Sequence, residues 1–295
     1  MLPMQPANGE VVSFLGGGNM ARALIAGLLR EGWPPEHIRV GEPSAPAREA
    51  LQRDLGVFVS ADNDAALEHA TLVVLAVKPQ DAAQALQALR ARRSSMPLLS
   101  IAAGLPVARL QQACEPGTPV VRAMPNRPAL LGAGITGLYA PAEVPEGIRR
   151  RAQAIVAAAG RTVWLRIEAE LDVVTALSGS GPAYFLLFAE QLCHAAEGLG
   201  LAPDTAALLA AETLYGAGML AHQGADGAAA ALAAERVAVT SKGGTTEAAL
   251  RVFAAADLQG LVARALQAAA ARSAELARAE PDVPSSGRPR PPAAR

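Results

Sequence analysis

Along the first 165 residues, short apolar runs alternate with amphipathic stretches, and then the rhythm changes. VVSFLG (11–16), IRVGE (38–42), VFVS (57–60), TLVVLAV (71–77), PLLSIAA (97–103), PVVRAM (119–124), GITGLYA (134–140) and TVWL (162–165) read as strands. NMARALIAGLLREG, PAREALQRDLG, QDAAQALQALRAR, PVARLQQAC and EVPEGIRRRAQAIVAAAG lie between them and read as helices. Such alternation predicts a parallel sheet with helices on both faces. From Leu171 onward no strand pattern appears. ELDVVTAL, PAYFLLFAEQLCHAAEG, PDTAALLAAETLYGAGMLAHQG and the long run from Glu247 to Ala279 all read as helix. Pro182 and Pro203 sit at helix starts, where a missing N–H costs nothing. The expected organisation is an α/β domain over 1–170 and an all-α domain over 171–279. The proline-rich tail, 280–295, carries too little apolar surface to fold and is expected to be disordered.

Composition narrows the class. Of 295 residues, 51% are hydrophobic and the formal net charge is −1, so nothing points to nucleic acid or an anionic membrane as partner. Cys114 and Cys193 are solitary, which fits a reducing compartment, and the four histidines form no metal-ligand pattern. MLPMQPANGE lacks the basic and apolar blocks of a signal peptide, and no apolar run reads as long enough to cross a bilayer. The expectation is a cytoplasmic protein without a metal.

The first strand runs directly into GGGNMA and a helix. Gly16 permits a tight turn, Gly18 lets a pyrophosphate approach backbone N–H groups, and Ala21 lets the helix pack on the strand. G-x-G-x-x-A is weak alone; closing the first strand of a βαβ unit, it predicts a Rossmann-type dinucleotide domain. AVKPQ (76–80) and SIAAG (100–104) end later strands, and ligands of open α/β sheets lie beyond such ends. RAMPN (122–126) closes another. Its Asn126 is either a hydrogen-bonding group for substrate or cofactor carboxamide, or a turn former before Arg127 and Pro128. A dinucleotide domain joined to a helical domain implies hydride transfer.

VTSKGGTTEAAL (239–250) interrupts the alanine-rich half with two glycines and four hydroxyls. It precedes a helix, whose N-terminus offers unpaired N–H groups and partial positive charge. Ser241, Gly243, Gly244, Thr245 and Thr246 form a candidate cradle for a carboxylate, against the plainer reading of an N-capping loop. SGSGPAY (178–184) is a second glycine turn, which either faces the same pocket or shapes the entry to a buried helix. YFLLF (184–188) is apolar right round that helix, which implies burial on more than one side.

FLGGGNMA, LAVKPQ, SIAAGL, RAMPN-P, LSGSGPAY and VTSKGGTTEAAL occur in this order, and the chain resembles pyrroline-5-carboxylate reductases from about Val12 to Leu276. The last two motifs are the specific ones; β-hydroxyacid-dehydrogenase-like proteins share the first three. The resemblance implies a Rossmann domain followed by an all-α dimerisation domain, a homodimer or higher homo-oligomer, and reduction of the cyclic imine 1-pyrroline-5-carboxylate to L-proline with NADPH or NADH. It places Leu15, Gly16, Gly17, Gly18, Asn19, Met20, Asn63, Ala76, Val77, Lys78, Pro79 and Ser100 to Ala103 (thus Ala102 and Ala103) around the cofactor. It puts Thr246 at the ring nitrogen as the catalytic candidate. Arg127 stands where the family usually has a small residue, and Lys242 where it often has Pro. The rival readings are a reductase of another small imine or hydroxyacid, and a cofactor-binding regulator without catalysis. A hydroxyacid enzyme wants a basic Lys or His in its pocket, and the helical half offers no Lys except Lys242.

The family mostly uses NADPH, yet IRVGE ends in Glu42, where an acidic side chain typically binds the ribose hydroxyls of NAD. Ser44 and Arg48 lie just beyond, placed to hold a 2′-phosphate if Glu42 turns into water. The expectation is an enzyme that accepts both cofactors.

Overall fold

A computed structural model describes residues 9–92, 95–223 and 229–278. The tail at 280–295 lies outside these residues. The described chain forms two compact units, one running up to Thr175 and resuming at Ala271, the other Ala176–Ala270.

The first unit is built on one eight-stranded sheet. Its elements are β1 (Val12–Leu15), α1 (Asn19–Arg30), β2 (Ile38–Gly41), α2 (Ala45–Leu55), β3 (Phe58–Ser60), α3 (Asn63–Ala66), β4 (Leu72–Leu75), α4 (Ala82–Ala91), β5 (Leu98–Ser100), α5 (Val107–Ala113), β6 (Val120–Met124), β7 (Gly134–Tyr139), α6 (Glu146–Ala157) and β8 (Gly160–Trp164). Spatial order is β3-β2-β1-β4-β5-β6-β7-β8, so β1 and β4 are neighbours at the centre. Every residue of β1 and β4 is buried, as continuous apolar runs covered on both faces should be. In the edge strand β8 the exposure alternates residue by residue. Two apolar clusters flank the sheet. Phe14, Leu24, Ile25, Leu28 and Ile155 belong to one, and Leu15, Leu75, Leu86, Leu89 and Leu110 to the other.

One expectation needs correcting: the sheet is mixed. The first six strands pair in parallel, but β6 and β7 are antiparallel, with Arg122 opposite Tyr139, and β8 then follows β7 in parallel. A parallel return needs a crossover of a dozen or more residues. Between Met124 and Gly134 the chain has room only for the 3-10 turn Arg127–Leu131, so it doubles back.

Beyond β8 the described residues hold no further strand. α7 (Glu170–Val174) passes into one π-helical turn, Thr175–Gly179, over the LSGSG glycines, and then into α8 (Gly181–Gly198). α9 (Pro203–Gln223), α10 (Ala229–Ala238), α11 (Thr245–Ala255) and α12 (Leu258–Arg278) follow among the described residues. The run from Glu247 to Ala279, expected as one helix, forms two over its described residues, to Arg278. Asp257 has φ of 51° and breaks it, and its carboxylate accepts the N–H of Gly260 at 3.1 Å to start α12. The last turns of α12 also differ from the expected helical domain. Ser273 donates to Asp172 at 2.7 Å, and a Cβ on Gly104 would lie 3.5 Å from the Leu276 backbone, so this end packs within the first unit.

Within the second unit α8 packs on α9, and the Phe188 and Phe253 rings meet at 5.7 Å between centroids. Its apolar side chains are nevertheless in the open: Phe185 is 65% exposed, Leu186 63% and Tyr215 65%. An apolar surface of this extent marks an interaction face. The helical stretch Glu170–Gly198 is, against the sequence expectation, long and apolar enough to cross a membrane by length and composition alone. The two-sided apolarity of YFLLF contributes to that.

Candidate functional site

The glycine turn after β1 is built by crowding. Gly16 adopts φ of 99°, and a Cβ there would lie 2.8 Å from the Ala76 carbonyl oxygen. Its N–H donates to the Gly41 carbonyl at 2.8 Å. At Gly17 a Cβ would strike Leu51 Cδ1 at 2.5 Å. Gly18 is the opposite case: it caps α1 with no side-chain hydrogen bond and has open space where a Cβ would stand. The unpaired first-turn N–H groups of α1 therefore face room, which is what a pyrophosphate needs. Ala21 is fully buried, as helix–strand packing requires.

That room is a cavity of about 430 Å³ beyond the carboxyl ends of β1, β2 and β4. It is lined by Gly16, Gly18, Gly41, Glu42, Pro43, Ala61, Asn63, Ala76, Val77, Lys78, Asp81, Gln84 and Ala85. The strand order reverses between β1 and β4, where doubly wound sheets bind their ligands. Of the expected cofactor residues, Gly16, Gly18, Glu42, Asn63, Ala76, Val77 and Lys78 meet here. Leu15 is wholly buried in β1, and Ala102 is buried in the second core cluster, so each acts through packing. Gly17 stands in the turn before α1, Asn19 and Met20 are the first residues of α1 and Pro79 opens the 3-10 turn after β4, whereas Ser44 caps α2 and Ala103 is exposed. Gly41, Pro43, Ala61, Asp81, Gln84 and Ala85 line it without having been picked out. Gly41 had a legible signal, a glycine ending a strand; a Cβ there would lie 2.3 Å from Asn63 Oδ1.

Glu42 is held firmly. Its Oε2 accepts the Gly17 N–H and its Oε1 the Ser44 N–H, both at 2.9 Å. Arg48 Nη1 donates to the carbonyl oxygens of Glu42 at 2.8 Å and Pro43 at 2.7 Å, bracing the same loop. A nicotinamide dinucleotide fits this donor set: unpaired N–H groups for the pyrophosphate, and a fixed carboxylate at the end of β2 for a ribose.

Asn126 braces the β6–β7 return. It is 7% exposed, and its Oδ1 accepts the Ile135 N–H at 2.9 Å across the β6–β7 return. Cys114 is buried, and burial pushes its thiol up to about 11, so it is no nucleophile at neutral pH. Among the described residues no group of three or more His, Cys, Asp or Glu is placed to hold a metal ion.

In the helical unit, α10 ends at Ala238 and the chain turns through Ser241–Gly244 into α11. Gly243 has φ of 74°, a conformation that suits glycine. The expected donors shift here. The Gly244 N–H donates to the Ser241 carbonyl at 3.0 Å, and the Gly243 N–H donates to Glu247 Oε2. Both glycines thus shape the turn with their own N–H groups. The N–H groups left without an intrahelical partner are those of Thr245, Thr246 and Glu247. Thr246 is half-buried, while Ser241, Lys242 and Thr245 are exposed. Glu247 was not anticipated, although an acid in the third helical position after a turn is a capping signal. Its other oxygen pairs with Arg251 Nη2 at 2.6 Å. The Gly243 N–H first, and then Arg251, hold its carboxyl below the ordinary 4.5.

A βαβ glycine turn, a cavity at the switch point and a fixed ribose-side carboxylate define a nicotinamide-dinucleotide oxidoreductase with an appended helical domain. Known proteins refine the class. Residues 11–104 match the family described as NADP oxidoreductase coenzyme F420-dependent, and residues 168–276 match pyrroline-5-carboxylate reductase dimerisation. The chain is 43% identical over 267 residues to the pyrroline-5-carboxylate reductase of Pseudomonas aeruginosa, covering 90% of this chain and 96% of that one. The solved pyrroline-5-carboxylate reductase of Coxiella burnetii superposes with a TM-score of 0.85 at 36% identity, covering 91% of this chain and 99% of that one. The Plasmodium falciparum pyrroline carboxylate reductase, solved with NADP bound, superposes at 0.76 and 26% identity, covering 91% and 98%. The chain belongs to the pyrroline-5-carboxylate reductase family. Its helical half, residues 168–276, matches the dimerisation domain of that family, and α8 within it carries exposed apolar side chains.

Proposed function

We propose that this chain reduces 1-pyrroline-5-carboxylate to L-proline with NADPH or NADH, as the last step of proline biosynthesis. It works in the cytoplasm as a homodimer or larger homo-oligomer. The observation that carries the reading is that one chain holds both a dinucleotide cavity at the β1–β4 switch point and, within residues 168–276, a hydroxyl-rich turn at a helix N-terminus.

The bound nicotinamide supplies the hydride. The protein's part is to hold and orient. Gly18 and the first turn of α1 receive the pyrophosphate, and Glu42 and Asn63 border the adenosine side of the cavity. The substrate is a small ring bearing a carboxylate and an imine nitrogen. Its carboxylate is received by the N–H groups of Thr245 and Thr246 and by the Ser241 and Thr245 hydroxyls, with the α11 dipole adding positive potential. Thr246 Oγ1 faces the ring nitrogen and fixes the ring's orientation. A protonated imine is already an electrophile, so this contact supplies geometry more than acid strength. Lys242, which is exposed, adds a solvated positive charge near an anionic substrate.

The test is nicotinamide absorbance followed with synthetic 1-pyrroline-5-carboxylate, with proline measured as product. Oxidation of the cofactor with stoichiometric proline is expected. Turnover of small hydroxyacids without turnover of the imine would assign the chain to another chemistry. Binding of cofactor with no turnover of either would make it a regulator.

A further inference from the structure

Resting on the reading that a nicotinamide dinucleotide is the hydride donor, we infer that this chain selects NADH over NADPH, and that Glu42 makes the selection. Glu42 follows the last residue of β2 and lines the cavity beside Gly41, Pro43 and Asn63. In this topology the end of the second strand is where the adenosine ribose lies.

Position alone would leave open a side chain that swings into water and lets a phosphate in. The geometry closes that route. One carboxylate oxygen takes the Gly17 N–H from the glycine turn, and the other takes the Ser44 N–H from the start of α2, each at 2.9 Å. Turning outward would shed two charge-assisted hydrogen bonds and strand the Gly17 N–H in a buried turn. Its packing holds it too: a Cβ added to Gly17 would lie 3.3 Å from Glu42 Oε2.

A fixed carboxylate accepts and does not donate, so the ribose 2′- and 3′-hydroxyls are complementary partners. A 2′-phosphate brings only acceptors and negative charge. The nearby cations do not reverse this. Arg48 turns Nη1 to the carbonyls of Glu42 and Pro43, and Arg22 and Arg53 both pair with Asp54, at 2.6 and 2.9 Å. Lys78 reaches the cavity from the end of β4, and β1 separates β4 from β2.

The test is calorimetric titration of the purified full chain with NADH and with NADPH, without substrate, for wild type, Glu42→Gln and Glu42→Ser. NADH is expected to bind at least about tenfold more tightly to wild type, and both variants to bring the ratio within about threefold, chiefly by gaining NADPH affinity. Equal or tighter NADPH binding by wild type overturns the inference whether or not the variants fold. So does an NADH preference that survives in both variants. Because no imine is present, tight NADPH binding would leave the proposed reaction standing, whereas binding of neither cofactor would remove both.

Discussion

Glu168 joins three elements of the first unit at a single oxygen, and its removal should be costly in a way its partner's removal is not. Its Oε1 accepts from Arg122 Nη1 at 2.7 Å and from the Val107 N–H at 2.7 Å, tying β6 and the start of α5 to the segment that leads into α7. The side chains are 11% exposed for Arg122 and 30% for Glu168. Breaking a fully buried pair from one side costs about 3–5 kcal/mol, because the surviving charge is stranded. With part of Glu168 in solvent, about 2 kcal/mol is the appropriate figure for Glu168→Ala. The lost bond to the Val107 N–H adds about 1 kcal/mol. Arg122→Ala should cost only about 1 kcal/mol, because the carboxylate left behind is nearer water and keeps the Val107 N–H. Urea unfolding followed by tryptophan fluorescence reads the right region, since the chain's two tryptophans, Trp33 and Trp164, both lie in this unit. A Glu168→Ala variant within about 0.5 kcal/mol of wild type would refute the reasoning. So would Arg122→Ala proving the more damaging of the two.

Three further outcomes are expected. Thr246→Val keeps shape and removes the hydroxyl, and kcat/KM should fall about tenfold, with a smaller loss for Thr245→Val, whose carboxylate contact is shared with backbone N–H groups. The reverse order of losses would exchange their roles. Glu247 is lowered below its ordinary 4.5, so its contact with Gly243 is fully present above that pH and is lost as pH falls through the lower folded value. Protection of the amides across residues 241–247, taken relative to their intrinsic exchange at each pH, should fall over that acid range in wild type and should show no such step in Glu247→Gln. Phe185→Asp places a charge on the open face of α8, and light scattering at micromolar concentration should show a smaller species than wild type. A wild type that is an active monomer would exclude the proposed assembly.

The legibility of this protein in its sequence follows the range of the forces involved. β1 and β4 were readable because a strand covered on both faces must be apolar throughout, and that demand is written in consecutive residues. The Gly16 turn was readable because positive φ is a local need. The break at Asp257 was not, since alanine-rich sequence on both sides continues a helical pattern that one side-chain cap overrides. The reversal between β6 and β7 depended on where a return segment could land, and that is a property of the sheet.

The candidate site divides in the same way. Residue types at Ser241–Thr246 announced a polar turn before a helix. Only the folded turn showed that Gly243 and Gly244 use their own N–H groups within it. Glu42 stood at a suggestive position in the chain. What makes it a fixed acceptor, with one N–H from the glycine turn after β1 and one from α2, comes from segments that the parallel order brings together. Sequence by itself determined which residues could carry the chemistry, because side-chain type and backbone preference are local. Tertiary structure decided which of them are free to carry it. Each hydrogen-bonding group must find a partner, and for Glu42, Asn126 and Gly243 the partner lies in another segment or on the next turn of the chain.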